Sequence, residues 1–155
     1  MKSRTERGRA PRHIFFYGTL LPGQAPPEIR PALEELRPLG AAVLRGARLF
    51  DLGDFPGAIA EPSGPDLRGQ IFRLPPQPEE LLRRLDEYEG YDPARAAQSL
   101  FVRHAHRVSL PRGRSVNAWV YFYNRSPSAA GVLAKGSYRS RRVAAARAQR
   151  AAEPA

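Results

Sequence analysis

The run Ile14-Phe15-Phe16-Tyr17 limits the possible folds of this chain more than any other stretch. Aromatic and β-branched residues favour β-strands, and this run contains no polar break. A strand without polar alternation is buried on both of its faces. The sequence therefore predicts a strand inside the domain, with other elements packed against each of its sides.

This strand ends abruptly at Gly18 and Thr19, and Pro22-Gly23 closes the segment as a turn. Glycine has no Cβ, so the backbone at Gly18 is able to turn or to approach another group closely. Free N–H groups at the end of such a strand suit a carboxylate or a developing oxyanion. The alternative interpretation is that Gly18 is only a bend between a strand and a loop.

The rest of the chain contains more strand patterns than helix patterns. The β-like runs after the first strand lie at 41–52, 55–60 (a turn and a brief strand), 67–74, 100–110 and 116–123. Gly69 marks a bulge or a close approach of two backbones. Helix patterns at 28–36 and 78–89 are inserted among about six strands, without βαβ repeats. We therefore predict the α+β class, with a curved or barrel-like sheet.

The clearest helix lies between Pro78, which suits a first helical turn, and Gly90, which is a natural stop. Its apolar residues share one face at helical spacing: Leu81, Leu82, Leu85 and Tyr88. The sequence therefore predicts that this helix packs against the sheet.

Glu89 closes this helix, where the negative end of the helix dipole disfavours a carboxylate. Its pKa is expected above the usual range if the side chain is also partly buried, with Tyr88 and Tyr91 providing apolar surroundings. A carboxyl group with a raised pKa suits a general acid and base near neutral pH. The alternative is an ordinary solvated carboxylate at a helix end.

Several kinds of chemistry have no counterpart in the sequence. The 155 residues fit one domain, and they include no cysteine, which excludes disulfides, thiolate nucleophiles and cysteine-bound zinc. His104 and His106 share a strand face, where two imidazoles could begin a metal site, but no third ligand has suitable spacing, so we expect a solvent-facing pair and no metal. No serine-nucleophile, phosphate-loop or dinucleotide motif occurs. Without a membrane-spanning run or signal peptide, the sequence predicts a soluble, cytoplasmic protein.

The net charge of +10 is concentrated at the two ends of the chain. Residues 1–12 and residues 139–155 each contain five basic residues and one acidic residue, so each segment carries +4. We expect 1–12 to be a disordered tail, 13–138 the folded domain, and 139–155 a second tail, disordered or partly helical. Such tails either solubilise the protein or bind polyanions, including nucleic acid, without sequence specificity.

Short motifs occur in a recognisable order between residues 14 and 138. They are Tyr17-Gly18-Thr19-Leu20, 46–53, Phe55-Pro56-Gly57-Ala58, 69–72, 85–91, Phe101-Val102-Arg103 and 118–121. This ordered set resembles the γ-glutamylcyclotransferase-like family, in the branch of the AIG2-like proteins and γ-glutamylamine cyclotransferases. The resemblance implies a small mixed β-barrel flanked by helices, with a pocket at one end and no cofactor.

The resemblance also implies a reaction, in which a γ-glutamyl amine or γ-glutamyl amino acid is released as 5-oxoproline and a free amine. Glu89 matches the position of the catalytic glutamate and is expected to act as the general acid and base. By the same analogy, the backbone at Tyr17, Gly18, Thr19 and Leu20 holds the glutamyl group. A further segment, Phe55, Pro56 and Gly57, is expected to line the pocket or to form a simple turn.

Two features depart from the family pattern. Phe101 stands where relatives often carry tyrosine, so a hydroxyl that would contact the substrate is missing there. The candidates to replace that hydroxyl are Tyr121, Tyr123 and Tyr138. Of these we prefer Tyr121 as the substrate-binding residue. The 28–36 region is rich in proline and does not match residue by residue. Two other functions therefore stay open: a non-catalytic member of the fold that binds a small ligand or a protein, and a binder of anionic surfaces through the tails.

Overall fold

The computed structural model describes residues 9–18, 25–52, 55–126 and 131–132. Strands dominate this part of the chain: β1 (His13–Phe16), β2 (Arg37–Arg45), β3 (Ala47–Asp51), β4 (Pro56–Ala60), β5 (Asp66–Arg73), β6 (Phe101–Ser109), β7 (Ser115–Tyr123) and β8 (Gly131–Val132). The described residues also form α-helices α1 (Arg30–Leu33) and α2 (Glu79–Glu89), and 3₁₀ segments at Pro93–Gln98 and Pro111–Gly113. Of the two predicted tails, residues 1–8 and 139–155 lie outside the described residues.

Five of these strands close into a barrel in the order β1-β5-β2-β6-β7. β1 pairs antiparallel with β5 and lies parallel to β7, where Ile14 is opposite Trp119. It therefore has a neighbouring strand on each side and buried side chains on both faces, as its unbroken apolar run predicts. β3, β4 and β8 form a separate sheet in the order β4-β3-β8. The predicted α+β class with a barrel-like sheet is confirmed.

The side chains inside the barrel form one apolar cluster, which we call the inner core. All five barrel strands contribute to it, together with β3 and β4, because alternate residues of each strand point to the same side. Its buried members are Phe15, Tyr17, Ala42, Leu44, Ala47, Leu49, Ala58, Leu67, Ile71, Val108, Ala118, Val120 and Phe122.

A second cluster lies between the outside of the barrel and the helices, and we call it the helix-side core. Ile14 and Phe16 of β1 point into it, on the opposite face from Phe15. From α2 it receives the apolar face that the helical spacing predicts: Leu81, Leu82 and Leu85. Burying one such side chain contributes about 1.5–3 kcal/mol, so this face holds α2 on the barrel.

The C-terminal end of α2 lies where the sequence predicts it, and its N-terminal end lies one residue later than predicted. Pro78 directly precedes the helix, and Glu79 and Glu80 occupy its first turn, near the positive end of the dipole. Gly90 ends the helix with φ +74°, a left-handed conformation that glycine adopts without strain. Glu89 is therefore the last helical residue.

Two regions differ from the sequence prediction. The helix expected at 28–36 is limited to the four residues of α1, because the chain turns after Leu33 to enter β2, which pairs with β5 from Arg37 onward. The β-like run expected at 41–52 begins earlier, at Arg37, and is divided at Gly46 into β2 and β3. In both places the pairing of strands that are distant in sequence determines where the elements end.

Gly69 of β5 is a point of close approach, as its position in a strand predicts. A Cβ atom at this position would overlap the carbonyl oxygen of Phe16 on β1 and the ring of Phe15. A glycine is therefore required for β1 and β5 to pair so closely. Among the described helices, none has the length and apolar content that crossing a bilayer requires.

Candidate active site

A pocket lies where the end of β1, the start of β4, the end of α2 and the start of β6 meet. Six of the nine predicted site residues line it: Tyr17, Gly18, Phe55, Pro56, Glu89 and Tyr121. Aromatic rings form most of the remaining wall, and Glu89 is the charged side chain among the described lining residues. The fold thus brings together residues that are up to 104 positions apart in the sequence.

The other three predicted site residues do not line the described pocket. Thr19 and Leu20 lie outside the described residues. Gly57 packs against Leu52 and Tyr123, since an added Cβ atom would lie 2.6 Å from Leu52 Cδ1 and 2.9 Å from Tyr123 Cβ. Gly57 therefore supports the wall from the side of β7.

Tyr17 links three strands at the base of the pocket. Its hydroxyl donates a hydrogen bond to the carbonyl oxygen of Tyr121 at 2.5 Å and accepts one from the N–H of Ala58 at 3.1 Å. Burial, together with the nearby charge of Glu89, raises the pKa of Tyr17 far above its ordinary value, so the phenol stays protonated. The hydroxyl is thus already bound by main-chain groups, and Tyr17 also lines the pocket.

Glu89 projects from the last turn of α2 and is half-buried. Its negative charge contributes to the raised pKa of both Tyr17 and Tyr121, and all three residues line the pocket. A carboxyl group in the largely aromatic lining of a pocket is able to exchange protons with a bound molecule. The expected rise in the pKa of Glu89 stays a prediction.

Asp86, one turn before Glu89 on α2, is only 6% exposed and carries a charge network that local sequence patterns did not reveal. Arg103 donates two hydrogen bonds to its carboxylate, from Nε to Oδ1 at 2.7 Å and from Nη2 to Oδ2 at 3.0 Å. The hydroxyl of Tyr121 donates a third, to Oδ1, at 2.7 Å. α2 is therefore tied to β6 and β7 by polar contacts as well as by its apolar face.

Arg103 is held in place by aromatic rings in addition to Asp86. Its guanidinium carbon lies 4.2 Å from the centroid of Trp119 and 5.9 Å from that of Tyr91. The bond to Asp86 and the charges around it raise the pKa of Arg103 further, despite its burial. Arg103 is also directly opposite Tyr121 in the pairing of β6 with β7, which explains how both reach the same carboxylate.

A sequence signal for this network does exist. Asp86 lies four residues after Leu82 and three before Glu89, so it occupies the buried face of an amphipathic helix, where a carboxylate is costly unless it has partners. The identity of those partners, 17 and 35 residues further along the chain, has no local signal.

Phe101 forms an aromatic wall with two neighbours. Its ring centroid lies 5.8 Å from that of Phe55 and 5.6 Å from that of Tyr123. Of the three candidates for the missing hydroxyl, Tyr121 lines the pocket, Tyr123 packs on Phe101, and Tyr138 lies outside the described residues.

The two histidines singled out by their spacing do not form a metal site in the described part of the chain. His104 and His106 both lie near Phe122, with ring centroids 6.4 and 5.8 Å from its ring. The described residues contain no group of three or more side chains suited to holding a metal ion.

Comparison with known proteins connects this pocket to one family. The family model described as gamma-glutamyl cyclotransferase, AIG2-like, matches residues 14–140 of the chain. The matched range includes all five barrel strands, except for His13 at the start of β1, and it includes the whole pocket lining. No curated protein matches the sequence significantly.

Several solved structures share the fold. An AIG2-like protein from Mus musculus is 24% identical with a TM-score of 0.63, and the match covers 84% of this chain and 90% of that one. The uncharacterized protein PH0828 from Pyrococcus horikoshii is 19% identical, with a TM-score of 0.57 and coverage of 86% and 94%. A structure described as gamma-glutamyl cyclotransferase is 15% identical, with a TM-score of 0.56 and coverage of 79% and 70%. At these identities the likeness shows a common fold.

Proposed function

The chain belongs to the AIG2-like gamma-glutamyl cyclotransferase family, and we propose that it releases 5-oxoproline and a free amine from a γ-glutamyl amine or γ-glutamyl amino acid. The observation that carries this proposal is the position of Glu89, in an aromatic pocket beside Tyr17 and Tyr121. A carboxyl group in such surroundings is suited to transfer protons, which is the main task that this reaction leaves to the protein.

The substrate itself provides both reacting groups. The nitrogen of its α-amine attacks its own γ-carbonyl carbon, so that a new C–N bond closes a five-membered ring and the carbonyl oxygen becomes an oxyanion. When the oxyanion collapses, the bond to the leaving amine breaks. Because the attack is intramolecular, a pocket that holds the glutamyl chain in its folded conformation removes much of the entropic barrier.

Glu89 moves the protons. It takes a proton from the α-ammonium group, which frees the lone pair that attacks the carbonyl carbon, and it gives a proton to the leaving nitrogen as the C–N bond breaks. In total two protons pass from the ring nitrogen to the leaving nitrogen. Glu89 carries them in turn and returns to its starting state.

The other predicted site residues have binding roles in this proposal. The backbone at Tyr17, Gly18, Thr19 and Leu20 holds the glutamyl group and stabilises the oxyanion through N–H groups. Phe55 and Pro56 line the pocket beside it, and Gly57 supports them. Tyr121 contacts the substrate from the opposite side, next to Glu89.

The test is a panel of γ-glutamyl alkylamines, γ-glutamyl arylamines and γ-glutamyl dipeptides, with both products measured by mass spectrometry. For at least one of these substrate classes, we expect one molecule of 5-oxoproline to form for each molecule of amine that is released. The α-glutamyl isomers are the matched controls, because their amide carbonyl is not positioned for closure of the same ring. Release of glutamate in place of 5-oxoproline, or no release from any substrate, contradicts the proposal.

A further inference from the structure

Tyr121 lines the pocket, and its hydroxyl contacts the buried carboxylate of Asp86. A tyrosine hydroxyl has one proton to donate and two lone pairs with which to accept. Tyr121 gives its proton to Asp86 Oδ1 at 2.7 Å. Its oxygen therefore has only lone pairs to offer to a molecule in the pocket.

Asp86 is fixed as the acceptor of that proton. Arg103, whose guanidinium group stays charged, holds both carboxylate oxygens with two N–H groups, and the side chains of Arg103 and Asp86 are only 13% and 8% exposed. The ring of Trp119 covers the guanidinium group and limits its movement. The direction of the Tyr121 hydrogen bond is thus set by a rigid, charged pair behind it.

On the premise of the proposed function, we propose that Asp86 and Arg103 are positioning residues, which keep the hydroxyl oxygen of Tyr121 available to accept a hydrogen bond from the substrate's ammonium group. An ammonium group has only donors, and the pocket then presents two acceptors to it: the carboxylate of Glu89 and the phenol oxygen of Tyr121. The two acceptors come from α2 and β7, so they orient the nitrogen between them. Glu89 removes the protons in turn, while Tyr121 holds the nitrogen and exchanges no proton.

Without Asp86, the hydroxyl of Tyr121 is free to rotate and to donate its proton toward Glu89. It would then compete with the ammonium group for the carboxylate. The ammonium group would lose one acceptor and have to share the other, so turnover should fall although the catalytic carboxyl is still present.

The first test variant replaces the pair together, as Asp86→Leu with Arg103→Met. Replacing a buried ion pair by apolar residues of similar size is often neutral or stabilising, whereas removal of one partner leaves an unpaired buried charge. The matched control is Arg48→Met with Glu61→Leu, because this pair is joined at 2.6 Å but lies outside the described pocket lining. Thermal unfolding of both double variants reports whether they fold.

A spectroscopic measurement tests the hydrogen bond itself, independently of turnover. In NMR spectra of the wild type, we expect a hydroxyl proton that exchanges slowly with water and that disappears in Tyr121→Phe. The same signal should be lost in the Asp86/Arg103 variant and kept in the Arg48/Glu61 control. A signal that persists without Asp86 overturns the inference.

Kinetics then separate positioning from a merely structural role. On the substrate that the wild type turns over, we expect kcat to fall about 10–100-fold in Tyr121→Phe and in the Asp86/Arg103 variant, the range for a hydrogen bond to a charged group. Adding Tyr121→Phe to the Asp86/Arg103 variant should cause no further loss, because both changes remove the same interaction.

Two kinetic results also overturn the inference while leaving the proposed function intact: additive losses, or a kcat within twofold of wild type in Tyr121→Phe. The second result is decisive even if the Asp86/Arg103 variant fails to fold. No 5-oxoproline from the wild type overturns the proposed function, and this inference with it.

Discussion

The inner core and the helix-side core bury similar apolar side chains, but their buried tyrosine hydroxyls have different hydrogen-bond partners. In the inner core, the hydroxyl of Tyr17 is bound by two main-chain groups, the carbonyl of Tyr121 and the N–H of Ala58. Beside the helix-side core, the hydroxyl of Tyr121 is bound by the carboxylate of Asp86, which is paired with Arg103. A buried ion pair adds little stability, because desolvation offsets the attraction. The hydrogen bond that joins this pair to Tyr121, a residue of the pocket lining, is the basis of the positioning role proposed for it.

This comparison separates a scaffold from a site within one small domain. Apart from tyrosines, the buried polar or charged side chains among the described residues are Asp86 and Ser99, and neither belongs to the inner core. The barrel interior thus contributes mainly to stability, whereas Glu89 and Tyr121, the side chains proposed to act on a substrate, lie outside the inner core, and Tyr17 belongs to both the inner core and the pocket lining.

The largest expected change in stability comes from the inner core. Leu44 of β2 is completely buried in it, so Leu44→Ala should lower the free energy of unfolding by about 2–5 kcal/mol, measured by denaturant unfolding. Leu39→Ala is the control on the same strand, because Leu39 is 46% exposed and its truncation should cost less than about 0.5 kcal/mol. The folded fraction of Leu44→Ala should keep its turnover. Loss of turnover in the folded protein would break the division between scaffold and site.

Alkaline pH should weaken the fold through both buried tyrosines. Burial raises the pKa of Tyr17 and of Tyr121 far above the ordinary value near 10, so each stays protonated in the folded protein and ionises on unfolding. The stability that the two protonated tyrosines contribute to the fold is fully present below pH 10. Above pH 10, stability should fall by about 1.4 kcal/mol per pH unit for each tyrosine.

The measurement is the free energy of unfolding at several values between pH 10 and 12. Tyr17→Phe should reduce the slope of this free energy against pH by about half, because only one of the two buried tyrosines then remains to release a proton on unfolding. An unchanged slope in this variant would show that Tyr17 does not contribute through its ionisation.

At neutral pH the two tyrosines should differ in what their hydroxyls contribute to stability. Tyr17→Phe deprives two buried main-chain groups of a partner and should cost about 1–3 kcal/mol. Tyr121→Phe leaves Asp86 with both hydrogen bonds from Arg103 and should cost about 0.5–1.5 kcal/mol. Thermal unfolding of the two variants side by side measures the stability that each has lost. A larger loss for Tyr121→Phe than for Tyr17→Phe would contradict this prediction.

Much of the fold could be predicted from local sequence. The unbroken apolar run predicts β1, and the helical spacing with Pro78 and Gly90 predicts α2 to the residue at its C-terminal end. The closure of the barrel could not be predicted in this way, because the contact of Ile14 with Trp119 depends on the arrangement of all five strands. The shortness of α1 has the same origin, since the pairing of β2 with β5 outweighs a helical preference.

The site could be predicted only in part. Glu89 and Gly18 have weak local signals, and it was the order of several motifs along the chain that connected them to one pocket. The network of Asp86, Arg103 and Tyr121 was missed, because an ion pair between a helix and a strand leaves no periodic pattern. A carboxylate on the buried face of a helix was the available clue.

The most direct test of the account is kcat for 5-oxoproline release by Glu89→Gln, compared with Glu87→Gln. Glu87 lies on the same helix with its side chain 77% exposed, so it controls for the loss of one carboxylate from α2. We expect Glu89→Gln to fold normally and to lose about 10²–10⁴-fold in kcat, the usual contribution of a general acid and base, while Glu87→Gln stays within twofold of wild type. A Glu89→Gln variant that keeps kcat within tenfold, or equal losses in the two variants, would contradict the role of Glu89.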